Sequence, residues 1–391
     1  MAESSAPTTI QTDGRRWKII LIGAAVALYW SSLYLYMPTL PTYAEDRIGN
    51  LTQVGVVLSM YGLWQAVVRL PLGILADWVG RRKPFILLGF ALSAAGAWLM
   101  MTSQGYTGML AGRAITGLAA AAWVPLTVLF SSMFPPRDAV RATAALMLIN
   151  ALSRVLSTGV TGSLNALGGY GLAFALAAGV AGLAALAILP VREKPLPAQR
   201  PSPRAIGALI TRRDVLLPSL LSMIAQYVTW ATTFGFLPIL ARNLGASDAV
   251  NSLLVSLNLL LGMAGNLAVT ALARRTGSRP LLLAGLLLIA LGVGVAAAAP
   301  SLAFVLVAQA LMGLGFGAAS PLTMGLSIQR VDEHQRATAM GLHQSVYAIG
   351  MFAGPWLSGI LAASMGIQPM FAITAAACLV ISIGLTRLLE S

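Results

Sequence analysis

The sequence predicts an all-α integral membrane protein with 12 transmembrane helices arranged as two repeated six-helix halves. Composition is the first reason. Of 391 residues, 58% are hydrophobic and only 9% charged, with a mean hydropathy of +0.81, whereas a soluble domain is about a quarter charged. The second reason is a series of about twelve apolar runs of roughly 20 residues, long enough to span a bilayer as helices. They are too long and too uniformly apolar for barrel strands, the other structure that satisfies its backbone in lipid. The third is the segment Gly73-Ile74-Leu75-Ala76-Asp77-Trp78-Val79-Gly80-Arg81-Arg82-Lys83-Pro84, which sets an acid, two glycines and three consecutive cations between two such runs. Gly80 suits the backbone of a tight turn, and the cations hold that turn at an aqueous surface.

The net charge of +13 is distributed by side. With spans numbered from about Trp17 and the N-terminus in the cytoplasm, 20 of the 25 Lys and Arg residues fall on the cytoplasmic side. Only Arg47 and Arg242 fall opposite, and Arg69, Arg113 and Arg154 lie within spans. This follows the positive-inside rule and places both termini in the cytoplasm. The basic charge is therefore a topology signal, and nucleic acid is not an expected partner. Residues 1–16 form a polar tail without a cleavage pattern, so the first helix is expected to be retained. The halves cover 17–190 and 215–388. Between them, residues 191–214 read as a cytoplasmic linker, because Pro190–Asp214 carries five prolines and six cations. Cys378, the only cysteine, precludes a disulfide within the chain.

The halves resemble each other in order. In span 1, Trp30 and Pro38-Thr39-Leu40 anticipate Trp230 and Pro238-Ile239-Leu240 in span 7. Gly117 and Pro125 of span 4 recur as Gly313 and Pro321 of span 10. Arg141-Ala142-Thr143-Ala144 opens span 5, and Arg336-Ala337-Thr338-Ala339 opens span 11. The offset drifts only from 200 to 195. Repeated six-helix halves are the plan of a transporter with its site between them.

Gly73-x3-Asp77-x2-Gly80-Arg81-Arg82 resembles the loop between helices 2 and 3 of the major facilitator superfamily. Arg113-x3-Gly117 in span 4 is similar to a second pattern of that superfamily, and the resemblance runs from about residue 17 to 388. It implies that spans 1, 4, 7 and 10 line a central cavity. It also implies that Gly73, Asp77, Gly80, Arg81 and Arg82 form a latch between the halves on the cytoplasmic side, and that Arg113 and Gly117 support coupling or helix packing. The corresponding loop of the second half, Arg274-Arg275-Thr276-Gly277-Ser278-Arg279, has Arg274 where Asp77 aligns, so the latch is expected on one side only.

All twelve acids lie in tails, loops or span ends. The ions within spans are arginines, which are costly there and do not release protons near neutral pH. Arg69 follows Gln65 by one turn and faces either backbone carbonyls near the mouth or the cavity. Arg154 shares a stripe with Asn150, Thr158 and Thr161, which offers a cation and an amide to an anionic group or else bonds between helices. The positions aligned with Arg69 and Arg113 are the neutral Asn266 and Gln309. With Asn266 and Gln309, Trp30 and Tyr34 in span 1, Gln226, Tyr227 and Trp230 in span 7, and Gln344 and Tyr347 in span 11 are cavity candidates, since rings beside amides and hydroxyls suit amphipathic molecules. His343 is the default proton site, or a hydrogen-bonding group. Exporters of the superfamily often carry a Gly-x3-Gly-Pro pattern in span 5. Here Ser157–Gly162 lacks the proline, and Gly350-x3-Gly354-Pro355-x3-Gly359 stands in span 11 instead.

No protease, esterase or phosphate-loop pattern is present, so neither an enzyme nor direct ATP drive is expected. No cofactor or metal is implied. The expected function is proton-coupled efflux of a drug-like compound or metabolite. The alternative is carriage of an organic anion or metal-chelating metabolite held by intramembrane arginines. The expected setting is a monomer among the lipids of a bacterial inner membrane, with a small-molecule substrate and a coupling proton as partners.

Overall fold

The computed structural model describes residues 9–135, 138–193, 209, 211–332 and 335–389, apart from the side chains of residues 9–15, 77, 139, 140, 274 and 337. The start of the tail, most of the 191–214 linker and the Asp77 side chain thus lie outside the described residues. Span 1 comprises α1 (Thr9–Tyr34) and α2 (Leu40–Ile48); span 2 is α3 (Leu51–Val79), and span 3 is α4 (Lys83–Thr102). Span 4 joins α5 (Tyr106–Ala120) to α6 (Trp123–Ser131). α7 (Ala139–Ile188) has 50 residues, about 75 Å of helix and more than twice a hydrocarbon core. It breaks at Gly168 and Gly169, where φ, ψ of −146°, 23° and 65°, −177° leave the helical region, and so supplies spans 5 and 6.

Span 7 joins α8 (Arg213–Ala231), a π-helical turn (Thr232–Phe236) and α9 (Leu237–Asn243). Spans 8 to 12 are α10 (Asp248–Thr276), α11 (Ser278–Ala297), α12 (Leu302–Gln329), α13 (Arg336–Met365) and α14 (Ile367–Leu388). By length and composition there are 11 apolar helical stretches among the described residues, which become twelve spans once α7 is divided. Leu156, Leu267 and Val380 project outward at 67%, 71% and 69% exposure, as lipid-facing side chains do. The first helix begins at Thr9 rather than 17, because a helix does not stop where the apolar run stops; the apolar stretch itself begins at Arg16.

Turns alternate between two faces of the bundle. The basic face carries the 80–82 turn and Gly277; the far face carries Gly49, Ser103, Gly245 and Gly366. Gly80 has φ +69° and ends span 2 as a left-handed cap, donating its N–H to Ala76 O, which is the glycine role the turn required. Asn50 starts the same helix by accepting the Gln53 N–H on its side chain.

Span 4 packs on span 2 at Gly117, where a Cβ would stand 2.9 Å from Met60 O. Gly313 of span 10 occupies the same place against Asn258 of span 8, so the sequence repeat is a structural one. Contact between the halves is richest for span 2 with span 11, then span 5 with span 8. Both seams lie toward the far face and are backbone to backbone. A Cβ on Gly55 would meet Gly359 Cα at 2.8 Å, one on Gly62 would meet Met351 O at 2.7 Å, and one on Gly162 would meet Asp248 O at 2.6 Å.

Gly62→Ala is therefore expected to destabilise the protein by about 1–3 kcal/mol through overpacking. Gly294→Ala, with nothing within 4 Å, should be neutral or stabilising by up to about 1 kcal/mol. Thermal unfolding midpoints in one detergent check the opposite signs.

Candidate functional site

The two helices that repeat most clearly in sequence are both broken halfway. In span 1, Pro38 has no N–H for Tyr34 O, and Met37 N–H takes that carbonyl instead at 3.2 Å. The helix opens over 35–39 before α2 begins. In span 7, Pro238 similarly leaves Phe234 O without its i+4 donor. The chain passes through the π-helical turn, with Gly235 at φ −116°, ψ −105°. The sequence reading had treated both segments as simple spans; proline geometry interrupts them at corresponding points. Discontinuous helices at matching places in two repeats are where transporters build sites.

Around these breaks lies an aromatic junction between the halves. Tyr61 of span 2 stacks on Trp230 of span 7 at 5.0 Å, and Tyr34 of span 1 meets Phe234 of span 7 edge-on at 5.9 Å. Trp30 touches Tyr34 at 5.8 Å and Trp123 of span 4 at 5.2 Å. Two guanidinium groups sit against these rings: Arg113 is 4.2 Å from the Tyr61 centroid and 5.8 Å from that of Trp230. Arg154 is 4.4 Å from the Tyr34 ring and 5.9 Å from the Trp30 ring. Arg113 is fully buried and donates to Met37 Sδ at 3.6 Å; its Nε and Nη1 have no acceptor among the described residues. Arg154 Nε and Trp30 Nε1 are likewise buried without an acceptor. Ring faces offset part of the cost of burying a cation, but they leave these N–H donors available.

Below the junction, toward the basic face, a cavity of ≈ 460 Å³ opens between the halves. Trp123 lines its inner end, with Thr127, Thr143, Met324, Gln344 and Arg69 on its walls. Arg69 donates to Gln65 Oε1 at 2.6 Å and to Tyr347 Oη at 2.5 Å, and so joins span 2 to span 11. It is a cavity residue held by side chains, rather than a partner of backbone carbonyls. Gly73 lines the same opening. Arg81 is exposed, and Arg82 is buried with its backbone N–H on the Glu193 carboxylate.

Other expected residues lie elsewhere. His343 is buried and shares a hydrogen bond between Nδ1 and Ser219 Oγ at 3.0 Å, turned toward span 7 within its own half. Gln309 accepts from Thr233 Oγ1 at 2.9 Å beside the span 7 break, as Arg113 stands beside the span 1 break. Tyr227 packs its backbone against Gly350 and Gly354 of span 11. Gln226 and Asn150 are half-buried, and Asn266 is exposed. The Arg154 stripe divides: Arg154 faces the rings, Thr158 shares a bond with Ser256 Oγ of span 8 at 2.8 Å, and Thr161 donates to Leu35 O of span 1 at 2.8 Å.

Sequence reasoning missed Tyr61, Trp123 and Phe234, and it missed the far-face seal. Arg242 at the end of span 7 pairs with Glu45 and with Asp46 (2.7 Å), both at the end of span 1. Asp248 of span 8 accepts from Asn165 of span 5 at 2.8 Å. A signal was present: Arg242 is one of two cations stranded on the sparsely charged side, opposite acids at the matching place in the repeat.

Three comparisons bear on this arrangement. A family model described as Major Facilitator Superfamily matches residues 22–228 and 219–390. A chloramphenicol efflux pump of Mycobacterium tuberculosis (strain ATCC 25618 / H37Rv) is 25% identical over 378 residues, 91% of this chain and 90% of that protein. Inner membrane transport protein YajR of Escherichia coli is 34% identical over 119 residues, but this is only 30% of the chain and 26% of the relative's length. In fold, the chain matches a bacterial homolog of the human lysosomal transporter Spinster, solved inward-facing and occupied. The TM-score is 0.79 at 15% identity over 96% of both chains.

Arg242→Gln should loosen the far-face seal. The expected result is faster labelling of a Thr39→Cys reporter, which replaces a residue 1% exposed at that end of span 1, against a native thiol that is buried. A double-mutant cycle with Glu45→Gln should give a coupling of roughly 0.5–1 kcal/mol, the range for a partly exposed pair.

Proposed function

The chain belongs to the Major Facilitator Superfamily, and on that premise we propose that this transporter exports a small amphipathic organic compound from a bacterial cytoplasm by alternating access. The aromatic junction at the inner end of the cavity carries this reading. Rings from both halves meet at Tyr61–Trp230 and Tyr34–Phe234, so a flat apolar solute entering past Trp123 separates the halves by replacing ring contacts with its own. The basic face is the cytoplasmic one, by the side on which the cations gather. The conformation is then open to the cytoplasm and sealed outside. The likeness to a chloramphenicol efflux pump supports export.

Two further elements belong to the reading. Asp77, with Gly73, Gly80, Arg81 and Arg82, acts as the cytoplasmic latch once the cavity closes, a contact that biases one of two states. Proton coupling falls to Glu45 on the far face more readily than to His343, which bonds within its own half. Protonating Glu45 removes charge from its contact with Arg242, which links the two halves while the outside is sealed. External acid thereby favours the outward-open state.

A second reading, carriage of an organic anion, has its own observation: the buried N–H donors of Arg113 and Arg154 that lack acceptors beside the rings. A carboxylate on the solute would accept from them.

Inside-out vesicles with an acid interior and a pH dye separate these readings. Protein-dependent proton efflux on adding a neutral aromatic compound is the expected result, and silence with cationic, neutral and anionic compounds would overturn proton-coupled export. Arg154→Ala should change transport of a neutral compound less than about threefold, but lower that of an anion by at least about tenfold, the scale of one charge-assisted hydrogen bond. Asp77→Asn should slow turnover; an unchanged rate would remove the latch.

A further inference from the structure

The two halves serve as controls for each other at the basic face. Where span 3 begins, the backbone N–H groups of Arg82 and Lys83 donate to the Glu193 carboxylate at 2.8–2.9 Å. The Lys83 ammonium donates to Leu189 O and, at 3.0 Å, to Val191 O at the end of span 6. The first half thus supplies its own anion to a helix N-terminus, where the free N–H groups and helix dipole favour one.

The frame recurs in the second half without the anion. Span 9 begins at Ser278, and Arg279, the counterpart of Lys83, donates to Leu389 O, the counterpart of Leu189 O, at the end of span 12. No carboxylate among the described residues stands where Glu193 does. A pocket of ≈ 680 Å³ opens there instead, between the N-terminal ends of spans 7 and 9 and the C-terminal ends of spans 10 and 12. Arg212, Arg213, Arg279 and Arg330 line it. The acid on its wall, Asp214, is already engaged by Arg212 through Nε at 3.1 Å and Nη2 at 2.7 Å. Arg213 and Arg330 are exposed and have no ion-pair partner among the described residues. Beneath the cations the wall is apolar, with Leu217 and Leu326.

We propose that this pocket binds the phosphodiester headgroup of an anionic membrane lipid, with its phosphate at the start of span 9 where Glu193 sits at the start of span 3. Arginines are suited to it, because their planar fork donates twice to one phosphate. The apolar wall below the arginines favours a lipid over a free phosphate, since it receives the first methylenes of the acyl chains. A basic pocket between helices at the membrane surface holds such headgroups electrostatically. The pocket is built by the second half alone and is separate from the cavity at Arg69, so its occupancy does not depend on the transported compound.

The test compares the full chain in bilayer discs of phosphatidylcholine with and without phosphatidylglycerol, counting retained lipid by native mass spectrometry and reading thermal midpoints. Wild type should retain phosphatidylglycerol preferentially, and Arg279→Gln with Arg330→Gln should lower that retention at least fivefold. Arg81→Gln, on the same face but outside the pocket, should leave it unchanged. The pocket variant should melt like wild type in phosphatidylcholine alone, which separates lost binding from misfolding. Equal retention by wild type and the pocket variant would overturn the proposal. So would equal thermal protection by inorganic phosphate, which would assign the site to a free anion, or a gain in retention with Glu390→Gln, which would make the chain's own carboxylate the occupant.

Discussion

Two helix pairs that touch without side chains between them determine what the molecule can do. On the far side, span 2 meets span 11 and span 5 meets span 8 at glycines, so close that a single Cβ would meet backbone atoms at 2.6–2.8 Å. Lipid tails are as apolar as leucine, so association within the bilayer rests on such close packing and on hydrogen bonds. With this side held, spans 2, 5 and 11, together with spans 4 and 10, line the cavity toward the basic face. Polar links at the far ends, Arg242 with Glu45 and Asp46, and Asn165 with Asp248, add direction to a seam that packing alone leaves unspecific. The Arg242 links are partly exposed, so the seam combines a steric fit with an electrostatic one.

The interior follows from what the sequence omits. With no carboxylate at mid-span, the arginines within spans have no ion-pair partner among the described residues, and a buried unpaired cation costs several kcal/mol even after relaxation, on the order of the whole stability margin of many domains. The fold reduces this cost with ring faces. Tyr61 and Trp230 flank Arg113, and Tyr34 and Trp30 flank Arg154. Because Trp230 comes from the other half, the ring contacts of Arg113 span the junction between the halves.

The architecture was legible because bilayer physics writes it in long signals: apolar runs, cations on one side, and a repeat with nearly constant offset. Gly80 was legible for a local reason, since only a positive φ closes that turn. The helix breaks were less so. Pro38 and Pro238 were noticed as a repeat, but a proline can kink a membrane helix or interrupt it, as the unbroken span 10 shows with Pro321. Side-chain direction was the least legible. Arg154, Thr158 and Thr161 share one helical stripe, yet they serve the rings, span 8 and span 1 respectively, because a stripe about one helix meets several neighbours. His343 drew attention as a titratable group, and Ser219, over a hundred residues away, decides its role. Tyr61 carries no charge and repeats no motif, so nothing in the sequence set it apart from interface tyrosines.

The repeat explains where function concentrates, because a duplicated fold makes each difference between halves informative. Gly117 and Gly313 do the same packing work, so that part of the plan is structural and retained on both sides. Arg113 and Gln309 stand at equivalent places beside the two helix breaks, yet one holds an unpaired cation and the other bonds Thr233. Asp77 aligns with Arg274 in the sequence repeat, and the Glu193 carboxylate at span 3 has no described counterpart at span 9. Each of these differences alters charge. In the alternating access proposed for this chain, such charges at the interface between the halves weight one arrangement against the other.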